Sequence, residues 1–260
     1  TNYFTARLQQ DLGDGATLLG ATLAATLRDL DAPELHTQLA RSALTGGLDF
    51  RHTWGDRAYF VDGRLVASRI EGAAAALRTI GENGVHYFQR PDADYLPDDP
   101  AATSLSGTGG RFFAGKDNGG RWRYSAGLDW RTPGLELNDL GYLQSTDFIR
   151  QTAHLEYVRT EPSAWFRRYN TRFTLLSRRN FGGDDLGRYA RIQGGATFPN
   201  NWSFWGQVGY TPPALDQRLL RGGPAVFRPA GYDTYMRLGS DSSRPWQYWL
   251  GLGHSAALDG

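Results

Sequence analysis

Apolar and polar residues alternate along most of this chain. In segment 121–131, Trp122, Tyr124, Leu128 and Trp130 fall on one face, and the charged residues fall on the other. Successive side chains of a β-strand point to opposite faces, so this period of two predicts a strand. Its apolar face has an aromatic residue near each end, as in a membrane-spanning barrel strand.

The same alternation recurs between clusters of Gly, Asp and Asn, which favour turns. The other alternating segments are 19–28, 48–54, 149–157, 165–178, 202–210 and 246–252. We expect about a dozen strands of roughly 9 to 13 residues, close to the ~9–11 residues of a spanning strand and longer than the ~5–6 residues of a typical soluble strand. The predicted fold is all-β, an antiparallel transmembrane β-barrel that forms one domain over residues 1–260.

Three segments break the alternation. The Ala-rich residues 72–80 predict one short helix, which leads into an acidic, proline-rich loop over residues 89–100. The other two are residues 132–147 and 211–230, which we expect to form long loops. Functional residues are commonly carried by such loops on a rigid scaffold.

The composition agrees with a barrel. The chain has 8 Trp, 13 Tyr, 13 Phe and 33 Gly, yet only 40% of its residues are hydrophobic. A membrane barrel places apolar side chains toward lipid and polar ones in its lumen, so it needs no large apolar core. The net charge of +1 gives no reason to expect nucleic acid as a partner. Cysteine is absent, which removes disulfides and thiolate metal sites.

The two ends of the chain suggest that it is part of a longer, exported protein. No apolar run is long enough for a transmembrane helix, and no signal peptide opens the sequence. Thr1–Phe4 already reads as a strand, and Ala256–Gly260 resembles the approach to another turn. We therefore expect a fragment of a larger barrel, which closes with strands beyond these residues.

Four short pieces of sequence carry a family resemblance. They are Tyr87–Asp92, Thr103–Gly107, Leu137–Tyr142 and Leu220–Pro224, the last followed by Ser240 and Asp241. In this order they resemble the C-terminal barrel region of bacterial envelope proteins classed as domain of unknown function 5916. The resemblance implies a barrel in the outer membrane of a Gram-negative bacterium. It also implies a link to glycan binding, through an N-terminal module like the family 9 carbohydrate-binding modules that lies outside these residues.

Nine residues of these loops are candidates for a site. They are Arg90, Pro91, Asp92, Asn138, Asp139, Arg221, Gly222, Gly223 and Pro224. The backbone N–H groups of 221–224 could hold an anion, although Gly and Pro there also serve to set a sharp loop conformation. Asp92, Asp94, Asp98 and Asp99 could bind Ca²⁺ or simply cap turns in a solvated loop.

A second candidate set consists of charged residues on the polar faces of the strands. Its members are Arg121, Arg123, Asp129, Arg150, Glu156, Arg168 and Arg172, and Arg178 and Arg191 extend it. In a lumen these arginines could steer anionic solutes by their field. Alternatively, arginines and carboxylates could form a ladder that fills and stiffens the barrel. The pattern alone does not separate the two interpretations.

The favoured function is an outer-membrane barrel that acts as a channel, receptor or envelope anchor. Its expected partners are membrane lipid and an oligosaccharide or small solute. The alternatives are a soluble all-β binding protein and an envelope hydrolase. The five histidines are scattered, and neither a His–Glu zinc motif nor a Gly-x-Ser-x-Gly elbow occurs. We therefore expect no enzymatic activity and no cofactor.

Overall fold

The computed structural model describes residues 1–96 and 98–258, and it is built almost entirely of antiparallel β-strands. Twelve strands form one sheet, in which every neighbour is the next strand of the sheet along the chain. The twelve strands are 9 to 13 residues long, between the 9 residues of Ser203–Thr211 and the 13 residues of Ser42–Trp54. The all-β class, the strand number and the strand lengths predicted from alternation are confirmed.

The elements have the following bounds. The strands are β1 Asn2–Leu12, β2 Thr17–Leu27, β3 Ser42–Trp54, β4 Tyr59–Glu71, β5 Ser104–Lys116, β6 Trp122–Arg131, β7 Phe148–Arg159, β8 Arg168–Arg179, β9 Asp185–Thr197, β10 Ser203–Thr211, β11 Ala214–Asp216, β12 Val226–Arg228, β13 Ala230–Gly239 and β14 Trp249–Leu258. The helices are a 3-10 helix at Pro33–Thr37 and α1 at Ala74–Glu82. Strands β11 and β12 pair with each other outside the main sheet.

The sheet has two chemically different faces, because its register keeps equivalent side chains in line from strand to strand. In β6, Trp122, Tyr124 and Leu128 lie on an exposed apolar face, while Arg123 and Asp129 lie on the other. Cross-strand partners continue these rows: Leu128 stands opposite Phe112 of β5, and Asp129 stands opposite Arg150 of β7. We refer to these as the apolar face and the charged face. The predicted division of β6 into two faces is confirmed.

Long and short connections lie at opposite ends of the sheet. At one end, which we name the loop end, the connections are 28–41, 72–103, 132–147, 180–184 and 212–229. At the other, the turn end, they are 13–16, 55–58, 117–121, 160–167, 198–202 and 240–248. The long connections of the loop end therefore have room to fold on each other, whereas the turns only reverse the chain.

The loop-end connections, apart from the short turn 180–184, pack into a loop layer against the charged face. Helix α1 buries Ala76 and Leu77 against Ile70 and Ala43, whose side chains point from the charged face of β4 and β3. In the 132–147 segment, Leu135 is buried on β5, where a side chain at position 107 would collide with its backbone. Glycine at 107 is thus required for this close approach. The loop layer holds most of the buried apolar residues of the described chain.

Several predicted boundaries are wrong by a few residues. Helix α1 begins and ends two residues later than expected, since Gly81 stays helical and packs against the Phe88 ring. Trp165, assigned to a strand, lies in the exposed connection before β8. At the C-terminus, Ala256–Leu258 continue β14 rather than approaching a turn, and the rest of that prediction falls outside the described residues.

The sheet has two free edges within the described residues. Strand β1 pairs only with β2, and strand β14 pairs only with β13, so the sheet is not closed into a barrel. The described helices include none that is long and apolar enough to cross a bilayer.

Candidate functional site

Two of the sequence motifs proposed as sites meet in the loop layer. Asp92 accepts a hydrogen bond from the backbone N–H of Ala225 at 2.6 Å, which joins the 89–92 turn to the end of the 221–224 loop. Next to this contact, Gly222 adopts a φ of +104°, and a side chain there would collide with Gln89. Glycine is therefore needed both for the backbone conformation and for the contact. The structural interpretation of 221–224 as a sharp loop is supported.

Arg90 and Asp92 form the polar centre of this junction. The Arg90 guanidinium is buried, and its Nε donates to Asp92 at 3.3 Å. Burial raises the pKa of Asp92, but the Ala225 N–H and the Arg90 guanidinium together outweigh it and lower that pKa from its usual value. Asp92 is thus a carboxylate engaged by protein donors rather than a free ligand for a cation.

The third motif, Asn138–Asp139, also has structural partners. The Asn138 side-chain oxygen accepts from the Leu143 N–H at 2.8 Å and closes the 138–143 turn. Asp139 forms an ion pair with Arg28, whose guanidinium also donates to the Ala40 carbonyl at 2.9 Å. The pair ties the 132–147 segment to the 28–41 connection.

A histidine–glutamate pair lies at the centre of the loop layer. His86 Nε2 lies 2.8 Å from Glu136 Oε2, and its Nδ1 lies 2.8 Å from the Pro133 carbonyl oxygen. Both ring nitrogens of His86 thus have an oxygen partner, one from the backbone of Pro133 and one from the Glu136 carboxyl group.

Glu136 is held in its ionised form by several donors. Burial raises its pKa, but hydrogen bonds from His86 and from the Asn138 N–H outweigh burial and lower that pKa below its usual value. The Glu136 backbone N–H donates to the Ser68 hydroxyl at 3.0 Å, which fixes the pair on the charged face of β4. The pair therefore connects two loops to the sheet.

Asp147 forms a second buried polar centre at the start of β7. Its carboxylate accepts from the Tyr95 hydroxyl at 2.6 Å and from the Phe181 N–H at 3.0 Å, and the Arg90 guanidinium lies 3.8 Å away. Burial, together with this hydrogen bond, raises the pKa of Tyr95, so its hydroxyl remains a donor. Asn180 and Gln217 complete the network, with Gln217 donating to the Asp147 carbonyl at 3.4 Å.

Arg218 bridges the remaining loops. It donates to the carbonyl oxygens of Gly84, Val85 and Gln144, and it lies 5.1 Å from the centre of the Tyr87 ring. A single guanidinium with five donors can satisfy several carbonyls at once, which suits it to a junction of irregular segments. The loop layer is thus a connected polar network on a small apolar base.

The charged residues predicted for a lumen form a second region, on the open part of the charged face. Arg150 donates to Asp129 at 2.8 Å, and Arg172 donates to Glu156 at 2.9 Å. Arg123 and Arg168 share the same face nearer the turn end, according to their register. Arg121 lies outside, in the turn before β6, where it pairs with Glu161 at 3.4 Å.

Aromatic side chains form a row on the apolar face at the turn end. Trp122 contacts Tyr157 at a ring distance of 5.0 Å, and Tyr157 contacts Tyr169 at 5.9 Å. Phe166 extends the row and contacts both Tyr169 and Phe198. The loop end of the apolar face has no comparable chain of ring contacts among the described residues. Aromatic residues were predicted at both ends of the strands, but among the described residues only those at the turn end form a chain of ring contacts.

Sequence reasoning missed the residues that hold the loop layer together. His86, Glu136, Arg218, Asp147 and Tyr95 were not singled out, because their partners are separated by 50 or more residues along the chain. A signal was present, since four of them, all but Asp147, lie within three residues of a motif already noted. Among residues 1–96 and 98–258, no group of three His or acidic side chains could hold a metal ion. The Ca²⁺ interpretation of the acidic loop therefore has no structural support.

A family model matches most of the chain. The family model described as Domain of unknown function (DUF5916) matches residues 43–257, which include every strand from β4 to β13 and most of β3 and β14. No curated protein matches the chain.

Proposed function

The chain belongs to the Domain of unknown function (DUF5916) family, and from that premise we propose that its sheet forms part of the wall of a β-barrel in a bacterial outer membrane. The observation that carries this proposal is the apolar face. Each of the twelve strands of the sheet exposes a large apolar side chain on it. These residues include Leu8, Leu23, Leu48, Leu65, Phe112, Leu128, Leu155, Leu175, Ile192, Val208, Met236 and Leu252.

Water would be a poor solvent for this face. Leu8 is 73% exposed, Leu48 is 61% exposed and Leu252 is 65% exposed. Apolar patches on soluble monomers rarely exceed a few hundred Å², whereas this one runs across the whole sheet. In lipid, exposure of the same apolar side chains carries no hydrophobic penalty, and strand pairing satisfies the backbone polar groups. A soluble binding protein would need a second layer to cover the face.

Three further features support a membrane position. Strands of 9 to 13 residues match the bilayer core. The aromatic row at the turn end resembles an interfacial girdle. Short turns at one end and long loops at the other are the pattern of outer-membrane barrels, in which the turns face the periplasm. The charged face then lines an aqueous interior, and the loop layer covers its outer mouth.

Site-specific labelling can test this proposal directly, because the native chain contains no cysteine. Leu128→Cys and Ser125→Cys would each carry a bimane label on opposite faces of β6. We expect brominated lipid to quench the label at position 128 and aqueous iodide to quench the label at 125. Iodide quenching at both positions would contradict the membrane placement. The channel, receptor and anchor roles, and the link to oligosaccharides implied by the family resemblance, stay predictions.

A further inference from the structure

Charge is distributed unevenly over the charged face. On strands β6–β9 the register places seven arginines but two carboxylates on it: Arg123, Arg131, Arg150, Arg168, Arg172, Arg178 and Arg191, with Asp129 and Glu156. On β1–β4 the numbers are equal, with three of each: Arg7, Arg51 and Arg64, with Asp11, Asp49 and Asp62. If the arginines and carboxylates only stiffened the sheet, we would expect them in equal numbers on β6–β9 as well as on β1–β4. The excess on β6–β9 calls for a counter-charge from elsewhere.

The excess coincides with open space near the turn end. A cavity of about 460 Å³ is lined by Arg123, Arg168 and Asn170, with Glu156 at its border. A second cavity of about 210 Å³ shares Arg123 and Glu156 with it and adds Arg172. Cavities of this size accommodate small organic molecules.

Two carboxylates line these cavities, and both already have partners. Asp117 pairs with Arg51 at 3.5 Å. Glu156 accepts from Asn170 Nδ2 at 3.0 Å with one oxygen and from Arg172 Nη2 at 2.9 Å with the other. Arg168 donates to the Thr197 hydroxyl at 3.2 Å. Arg123 forms no ion pair with any described residue, and its Nε is buried without a hydrogen-bond partner there. Buried donors without partners are costly, so a ligand that accepts from Arg123 would be favoured.

We propose that these two adjoining cavities together bind a small solute that carries phosphate groups. Its ligands are Arg123, which lines both cavities, Arg168 from the larger one and Arg172 from the smaller one. Guanidinium groups present paired donors that match the oxygens of a phosphate, and several of them together suit a multiply charged anion. Glu156 sets the upper limit on affinity, because its charge repels the ligand. The inference deepens the proposed function, since the charged face is a water-filled surface only when the opposite face meets lipid.

Calorimetric titration of the detergent-solubilised protein with inorganic pyrophosphate, at low ionic strength, tests the site. We expect saturable binding that Arg123→Gln and Arg168→Gln each weaken about tenfold. Glu156→Gln keeps an oxygen for Arg172 but removes the repelling charge, so it should strengthen binding several-fold. Arg64→Gln is the matched control, because it removes an exposed arginine from the same face on β4 and should change affinity less than about twofold.

The proposal would be overturned if the folded native protein showed no saturable binding, or if Arg123→Gln and Arg64→Gln caused equal losses. Circular dichroism and unchanged unfolding midpoints establish that the variants are folded. Nanodiscs with and without phosphatidylglycerol distinguish the two possible sources of the bound phosphate, a small solute and a lipid headgroup. If phosphatidylglycerol competes with pyrophosphate and this competition depends on Arg123, the site binds lipid headgroups. That result would overturn the proposal of a small solute. Bimane quenching at position 128 reports separately on membrane placement, so either proposal can fail alone.

Discussion

The loop layer and the charged face are built from the same residue types, but they differ in access to water. In the loop layer, the side chains of His86 and Glu136 are 0% and 6% exposed. On the charged face, those of Arg7 and Asp49 are 44% and 32% exposed, and that of Arg172 is 42% exposed. A buried ion must be paired, because its desolvation cost is otherwise not offset. A half-exposed arginine can exchange its partner for water or a ligand at little cost.

This difference separates structural from binding roles more clearly than residue type does. Three of the motif residues that looked like a site, Asp92, Asp139 and Arg90, are engaged by other protein groups in the loop layer. For the arginines of β6–β9 the sequence left barrel filling and solute steering open, and in the structure Arg123 and Arg168 border an open cavity.

The largest expected effect is the loss of the buried pair. Glu136→Ala leaves the buried His86 ring without its carboxyl partner, and breaking a buried pair of this kind costs about 3–5 kcal/mol. Asp49→Ala breaks an exposed pair on the charged face and should cost about 1 kcal/mol or less. Urea unfolding measures both, and hydrogen exchange of residues 83–90 and 132–147 should locate the first in the loop layer. Similar costs for the two variants would contradict the comparison.

The next prediction tests whether the charged face is turned away from lipid. Leu128→Arg places a cation on the apolar face and should destabilise the inserted protein by about 2–4 kcal/mol if it lies near the bilayer midplane. Ser125→Arg adds the same group to the charged face, where water and Glu156 are near, and should be much milder. Folding equilibria in lipid vesicles measure both variants. Equal costs would mean that the two faces are assigned wrongly.

A smaller effect is expected for a single hydrogen bond in the loop layer. Tyr95→Phe removes the donor 2.6 Å from Asp147, and a bond to a charged acceptor contributes about 1.5–3 kcal/mol. Tyr189 on the charged face provides a matched control, since its buried hydroxyl has no partner among the described residues. Tyr189→Phe should therefore change the free energy of unfolding by no more than about 0.5 kcal/mol. A larger loss in Tyr189→Phe than in Tyr95→Phe would refute this assignment.

The parts of the fold that local patterns determine were accessible from sequence. Strand lengths and faces follow from alternation, which the pairing register preserves across the whole sheet. The helix near residue 74 was found, but its end was placed too early, before Gly81. Its actual role depends on the Phe88 ring, seven residues later. Such a contact leaves no periodic trace in the sequence.

The loop layer was not accessible in the same way. Helix α1 packs on Ile70 of β4, and the 132–147 segment reaches the same strand through the hydrogen bond from Glu136 to Ser68, so these contacts join distant parts of the chain. The scattered histidines were interpreted as uninformative, and His86 was among them. Only the spatial approach of two loops shows that it has a carboxylate partner. The arginines of β6–β9, by contrast, were visible in the sequence. The pairing register was needed to show that they share one face and outnumber the carboxylates there.

The smallest expected effect concerns the pH dependence of stability, and it distinguishes the two regions. The folded pKa of Glu136 is lowered, so the unfolded chain takes up its proton first as the pH falls. The contribution of Glu136 to stability is therefore complete above the unfolded value of about 4.3 and is lost as the pH falls through the folded pKa. Urea midpoints at neutral and at acidic pH measure this loss. Glu136→Gln should flatten that part of the profile, because its amide cannot titrate, while Arg64→Gln should leave it unchanged. A profile that keeps its acidic slope in Glu136→Gln would show that other carboxylates, and not the buried pair, control the acid stability of the loop layer.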